Sequence, residues 1–477
     1  MNRLQVRCAL AFCCIFDLAM LTSSLHAGDL PAEARAAMRK AAGYYHDNVA
    51  VGGGYVYHYS EDLSVRWGEG LASETQIWVQ PPGTPTVGIA FLKAYEATGD
   101  DFYLRAAEDA ANVLVFGQFS GGGWTNSIDL ALREEGYPYS GGKKRKEGNC
   151  SLDDGQSQTA IRFLVLTDQA LKFKDERIHK AATFALDSLL AAQFDNGGFP
   201  QVWRGPVEEK PVIKANYPDY DWKTEGRIKN YWDYYTLNDN VCGYVAETLL
   251  VAHNVYGEEK YLTALKRLGD FLLLAQMPDP QPAWAQQYNY DMQPMWARKF
   301  EPPAISGDES QEAIETLLTI AEATGDANYL QAIPTAIAYL KRSLLSDGPL
   351  ARYYELRTNR PLFMNRRGKE YFLTYDDRNL PSHYGWKTSS KLDKLTAELE
   401  RVRQKQPAKT TSLKTLESRA RQAIEQLDKQ GRWLDTYDGE RLVGQGTFAH
   451  GEKYLSSATF SRNLTALAEY LLARNPD

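Results

Sequence analysis

Helical hairpins recur along this chain with a period of roughly 70–85 residues, and that recurrence limits the fold more than any other feature. Residues 86–97 (TVGIAFLKAYEA) carry apolar side chains at helical spacing and stop at Thr98-Gly99-Asp100; residues 101–116 start a second helix. The pattern returns at 157–173 and 176–193, at 240–256 and 258–276, and at 309–323 and 326–344. Each pair has a short glycine turn at one end (Gly99, Gly257, Gly325) and a long aromatic loop at the other. Loops that leave the same end of successive hairpins converge on one face. The spacing therefore predicts an all-α fold: an α/α toroid, an incomplete ring of helical hairpins, with the long loops forming the active-site face. An open helical solenoid is the alternative. Residues 451–472 supply a last helix able to close the ring.

Outside the repeat, residues 1–27 read as a signal peptide, with Arg3 and Arg7, an apolar run over 8–21 and a small-residue site ending at Ala27. Residues 28–477 are then one catalytic domain. The formal charge is −7; removing two arginines and one aspartate with the leader leaves −8. An acidic chain of this kind lacks the basic footprint of a nucleic-acid binder, and no apolar stretch is long enough to span a membrane. The expected protein is secreted, periplasmic or extracellular, and monomeric. Cys150 and Cys242 remain after cleavage, and two thiols in an exported chain can form one bridge. A basic run at 143–146 reads as a solvated loop. Residues 387–429 hold 11 Lys and Arg against 6 Asp and Glu, with Leu392, Leu395 and Leu399 at heptad-like spacing. They read as a charged helical insertion, about 387–430, broken near Pro407 and lying in solvent.

Four clusters can carry chemistry. Asn149-Cys150-Ser151-Leu152-Asp153-Asp154-Gly155 and Tyr234-Tyr235-Thr236-Leu237-Asn238-Asp239-Asn240 both open helices. A capping role accounts for one polar residue in each and leaves carboxylates spare. Trp284 to Asn289 and Ala297-Arg298-Lys299-Phe300-Glu301-Pro302-Pro303 form an ordered, non-helical loop. Arg360, Arg366, Arg367 and Arg378 gather on one Pro-, Asn- and aromatic-rich segment, which suits an anionic ligand. Zinc, Walker and GxSxG signatures are absent from the sequence.

These loops resemble the family 10 pectate lyases. The matching pieces are LDDGQSQTAIRFL (152–164), DNGGFPQVW (195–203), YTLNDN (235–240), PAWAQQYN (282–289), WARKFEPPAISGDES (296–310), TNRPLF (358–363) and YDDRNLPSHYGW (375–386). The resemblance implies an α/α toroid that cleaves polygalacturonate, the pectin backbone, by Ca²⁺-assisted β-elimination. It places Ca²⁺ on Asp153 and Asp239, the catalytic base on Arg298, and substrate binding on Arg366 and Arg378. The matched pieces extend substrate binding to Asn196, Asn238 and Arg360. Asp154 stands where the family pattern has Asn.

The residue types suit that chemistry. The C5 proton lies α to a carboxylate whose charge must be neutralised before it can leave. Ca²⁺ takes hard carboxylate oxygens and arginine forks take carboxylates. Arginine is an unusual base because it normally stays protonated, so a Tyr or Lys on the same face is the fallback. A toroidal glycoside hydrolase using Asp153 and Asp239 as paired carboxylates, and a non-catalytic pectin-binding protein, are the rival functions.

Overall fold

The computed structural model describes residues 29–131, 149–225 and 229–474. The leader expected over 1–27 and the basic run at 143–146 lie outside these. The predicted pairs form: α2 (Thr84–Thr98) with α3 (Asp101–Gly117), α4 (Gln156–Ala170) with α5 (Glu176–Ala191), and α6 (Val241–Tyr256) with α7 (Glu259–Ala275). A fourth pair joins α8 (Gly307–Thr324) to α9 (Ile333–Arg342), a fifth α10 (Leu392–Arg403) to α11 (Leu413–Gln426). The sixth pair is made from the two ends of the chain: α12 (Ser457–Arg474) packs against α1 (Leu30–Tyr44). The first members pack in sequence, α12 on α2, α2 on α4, α4 on α6, α6 on α8 and α8 on α10, and so form the inner wall of an α/α toroid. The row returns on itself, unlike an open solenoid, because α11, which follows α10 in the chain, packs on α12 and α1 at the row's other end.

Short ladders tie each unit together. Gln76–Trp78, before α2, pairs with Ser127–Asp129, after α3; Cys150–Ser151 pairs likewise with Val202–Trp203, and Tyr235–Thr236 with Gln287–Tyr288. Ile305–Ser306 pairs with Tyr353–Tyr354, and Lys453–Ser456 with His58–Ser60. Each ladder lies where an inner helix begins, so the loops and the positive ends of the inner helix dipoles share one face. Loop tryptophans lock neighbouring units. The Trp124 backbone N–H donates to Ser157 Oγ of α4 at 3.0 Å, and that of Trp284 to Ser310 Oγ of α8 at 3.0 Å. Both indoles are buried and donate to helix carbonyls. These aromatic loops are therefore structural, not sugar-stacking platforms.

The core fills the space between inner and outer helices, with Phe91, Phe163, Leu249, Leu317 and Leu467 buried. Two expectations change. The helix predicted over 326–344 is a short 3₁₀ turn, Ala327–Leu330, followed by α9, which starts just before Pro334, where proline is tolerated. The 387–430 segment is helical as expected but does not lie in solvent. Leu392, Leu395 and Leu399 are buried, α10 packs on α8 and α9, and α11 packs on α12 and α1. Its charge is absorbed locally: Arg401 pairs with Glu322 and Glu398, each at 2.6 Å, and Lys391 with Glu315 at 3.1 Å. Cys150 and Cys242 are both free and buried, so the possible bridge is not formed.

Candidate active site

The turns that open α4 and α6 have the same construction. Leu152-Asp153-Asp154-Gly155 and Leu237-Asn238-Asp239-Asn240 each place two successive residues in the left-handed region: Asp154 (φ 46°) with Gly155 (φ 72°), and Asp239 (φ 55°) with Asn240 (φ 54°). Asp and Asn tolerate that conformation better than other side-chain-bearing residues. Neither helix takes a side-chain cap from its turn, so the carboxylates are not consumed as caps. The repeat makes Asp154, not Asp153, the counterpart of Asp239, and sets Asp153 opposite Asn238.

Asp153, Asp154 and Asp239 meet between these two turns. Burial lifts the Asp239 carboxyl well above the usual carboxylate range, reinforced by the charge of Asp153, a hydrogen bond with it, and the charge of Asp154. Burial, then the charges of Asp153 and Glu69, push Asp154 up to about 6. Arg298 pulls both down, which places its guanidinium within electrostatic reach. Amides line the rim: Gln201 Nε2 donates to Asp153 Oδ1 at 2.6 Å, and Gln80 Nε2 to Asp154 Oδ2 at 2.9 Å and Glu69 Oε1 at 3.1 Å. Among the described residues no group of three or more His, Cys, Asp or Glu side chains forms a ready metal cage. The three aspartates are nevertheless hard oxygen donors that repel one another, and a divalent cation would relieve that repulsion.

Arg298 is half-buried and its Nη2 meets Glu301 Oε1 at 2.5 Å. The Arg298 backbone N–H also donates to Glu301 Oε2 at 2.8 Å. Burial draws the guanidinium pKa down, but the Glu301 hydrogen bond and charge outweigh it and hold the pKa above the ordinary arginine value. Its face lies over Phe300 at 5.1 Å and Tyr384 at 5.8 Å. Tyr384 Oη donates to Glu301 Oε1 at 3.1 Å and meets Tyr353 Oη at 2.7 Å.

The other expected residues divide. Asn238 donates to the Asp239 carboxylate and receives Arg352 Nη2 at 3.4 Å, so it links two charged groups. Asn196 is 3% exposed, and its side-chain oxygen accepts the Gly198 N–H at 3.0 Å. It holds a turn in place and offers little to a ligand. Arg360 stacks on Tyr375 at 3.5 Å. Arg366 is exposed on the strand Pro361–Arg367, opposite Tyr371 of Glu370–Thr374. Arg378 is exposed and forked onto its neighbour Asp376 at 2.7 and 2.8 Å. Arg352 escaped the sequence reading. It is half-buried, bonds Glu309 at 2.6 Å and Asp308 at 3.1 Å, and lies 4.9 Å over the Tyr384 ring. Its only sequence signal was an arginine inside an aromatic strand, whose partners in the Ser306-to-Ser310 turn lie about forty residues upstream.

Residues 126–349 match the family model described as pectic acid lyase. Among solved structures, a family 10 polysaccharide lyase from Cellvibrio cellulosa is 21% identical, over 65% of this chain and 94% of its own, with a TM-score of 0.47. A mutant of a family 10 polysaccharide lyase from the same organism, in complex with trigalacturonic acid, is 20% identical over 68% and 98%, with a TM-score of 0.46. A family 76 glycoside hydrolase (mannosidase) from Bacteroides thetaiotaomicron is 13% identical over 93% and 99%, with a TM-score of 0.47. No curated protein matches the chain.

Proposed function

On the premise that residues 126–349 of this chain belong to the pectic acid lyase family, we propose that it is a secreted, monomeric pectate lyase. It cleaves polygalacturonate by Ca²⁺-assisted β-elimination. The observation that carries the reading is the meeting of Asp153, Asp154 and Asp239 within electrostatic reach of Arg298. That places a cation-seeking acidic cluster beside a carboxylate-seeking arginine.

Asp153, Asp239 and, by its position in the repeated turn, Asp154 would hold Ca²⁺. When bound, the ion would supply positive charge to a galacturonate carboxylate and so acidify the adjacent C–H. Arg298 binds the same sugar. The C5–H bond breaks, its proton passing to a base, Arg298 or a Tyr or Lys on the same face, while its electron pair forms the C4=C5 double bond and the C4–O bond breaks; the departing oxygen takes up a proton. The products are a shortened chain and a 4,5-unsaturated oligogalacturonide. Arg366 and Arg360 hold neighbouring carboxylates, with Asn238 keeping Asp239 and Arg352 in register. Arg378 can join them by exchanging Asp376 for substrate.

Two roles suit Arg298. As the base it must first be neutral. The 2.5 Å contact with Glu301 opposes this and favours a second role, a fixed cation that stabilises charge building on the uronate. Purified protein acting on polygalacturonate should give ultraviolet absorbance from the unsaturated product, abolished by a chelator; new reducing ends without absorbance would mean hydrolysis instead. Arg298→Lys separates the roles. A lysine base has the lower pKa, so the rising limb of kcat against pH would move to lower pH, whereas a fixed cation that keeps its charge but loses the planar fork lowers kcat with the limb unmoved.

A further inference from the structure

The arginines on the loop face differ in one respect. Arg298, Arg352 and Arg378 each hold a carboxylate, Glu301, Glu309 and Asp376. Arg366 and Arg441, like Arg360 and Arg367, are exposed and have no ion pair among the described residues. Arg441 comes from the loop before α12, far beyond the matched segment 126–349. It reaches the loop before Trp386, where its Nη1 donates to the backbone oxygens of His383 at 3.0 Å and Ser382 at 3.4 Å.

His383 is the hub of this corner. Its Nε2 meets Tyr371 Oη at 3.0 Å, and its ring stands edge-on to Phe300 at 5.1 Å. Phe300 carries Arg298 over its face. Arg366 is the direct cross-strand partner of Tyr371, so the two side chains leave the same face of the hairpin. Arg441, through the His383 backbone, and Arg366, through Tyr371, are both neighbours of His383, whose ring in turn packs on Phe300 beneath Arg298. Burial, followed by the charges of Arg366, Arg441 and Arg298, holds the His383 pKa below its ordinary value, in keeping with three cations around a neutral ring.

We propose that Arg441 and Arg366, gathered at the His383 corner, form a second uronate-carboxylate subsite next to the sugar held at Arg298, with Arg441 delivered by the loop that closes the ring. This rests on the pectate reading above and extends it to a neighbouring sugar. A guanidinium has five N–H donors in a planar fork. Arg441 spends Nη1 on the backbone carbonyls, and these anchor the rest of the fork. An unpaired pair of arginines beside the site suits the carboxylates of an acidic polymer, which recur once per sugar.

The test is calorimetric binding of trigalacturonate to the whole protein, wild type and Arg441→Ala, with Arg441→Lys as the conservative control and a thermal melt for each. Losing a charge-assisted contact should weaken Kd about tenfold. Arg441→Lys should recover part of the loss, since a lysine restores the charge without the fork. On polymer, KM should rise more than kcat falls. The fully methyl-esterified trimer, which lacks the charge, should be bound equally by wild type and Arg441→Ala. Unchanged Kd for the acid, or an equal loss for acid and ester, would overturn the proposal, as would a wild type that does not bind trigalacturonate. If trigalacturonate binds in an Arg441-dependent manner but no unsaturated product forms, the subsite stands and the lyase reading falls.

Discussion

At the scale of the residue, the site rests on carboxylates crowded against their own charge. Asp154 has its pKa pushed up to about 6 from 3.8, by burial first and then by Asp153 and Glu69. Folding thus favours its protonated form. The stability this gives is complete below the unfolded value and is lost as pH rises through the folded one. Chelated protein should therefore melt progressively lower as pH climbs from about 4 to about 6, and Ca²⁺ should raise Tm far more at neutral pH than at acid pH. Asp154→Asn should flatten both dependences; a melt series with and without chelator would show it. The sequence made Asp153, Asp239 and Arg298 legible because charged residues stood out in ordered loops. It hid the equivalence of Asp154 with Asp239, which is a matter of backbone conformation in two turns of different wording, Asp-Asp-Gly and Asn-Asp-Asn. It also hid the Glu301 partnership, because a glutamate three residues from an arginine has no visible role until the loop curls back on itself. The turn bond of Asn196 to Gly198 was hidden as well, since turn-holding and ligand-holding amides look alike in one dimension.

At the scale of the element, hairpins could be read with helix ends within a few residues, since an apolar stripe and a glycine stop are local signals. Gly99, Gly257 and Gly325 all end their helices in the left-handed conformation, as their positions suggested. Local signals also failed in a local way. The α10 and α11 segments look solvent-bound by charge count, yet Lys391 and Arg401 pair with Glu315, Glu322 and Glu398, and Leu392, Leu395, Leu399 and Leu416 are buried. Contacts between inner helices were invisible to the sequence. Gly88 of α2 faces Phe163 of α4 so closely that a Cβ would lie 2.2 Å from the ring. Gly88→Ala should cost about 1–3 kcal/mol through overpacking, despite alanine's better helix propensity. A urea midpoint shifted down with unchanged slope would show it, and a stabilised variant would contradict the packing described.

At the scale of the whole molecule, the toroid closes through Phe460. Its ring stacks on Tyr45 at 3.9 Å and touches Phe91 at 5.6 Å and Trp433 at 5.9 Å, joining both chain ends to α2 and to the segment after α11. Tyr45 Oη meets Ser457 Oγ at 2.8 Å beside it. Phe460→Ala should cost about 3–5 kcal/mol, with circular dichroism and tryptophan fluorescence still reporting one coincident transition. Separate transitions would mean that the ring comes apart in pieces. The sequence offered residues 451–472 as the closing helix but not its partner α1, because periodicity reports neighbours along the chain while α1 and α12 are separated by nearly all of it. Their pairing also orders the birth of the molecule. As the polypeptide emerges from the ribosome, α1 lacks its partner α12, and the strand at His58–Ser60, paired on one edge with Arg66–Trp67, lacks its partner on the other, until α12 and the strand before it appear. The helix α1 must wait for α12 to cover its apolar face, which makes the interval between them the period when a holding chaperone matters most.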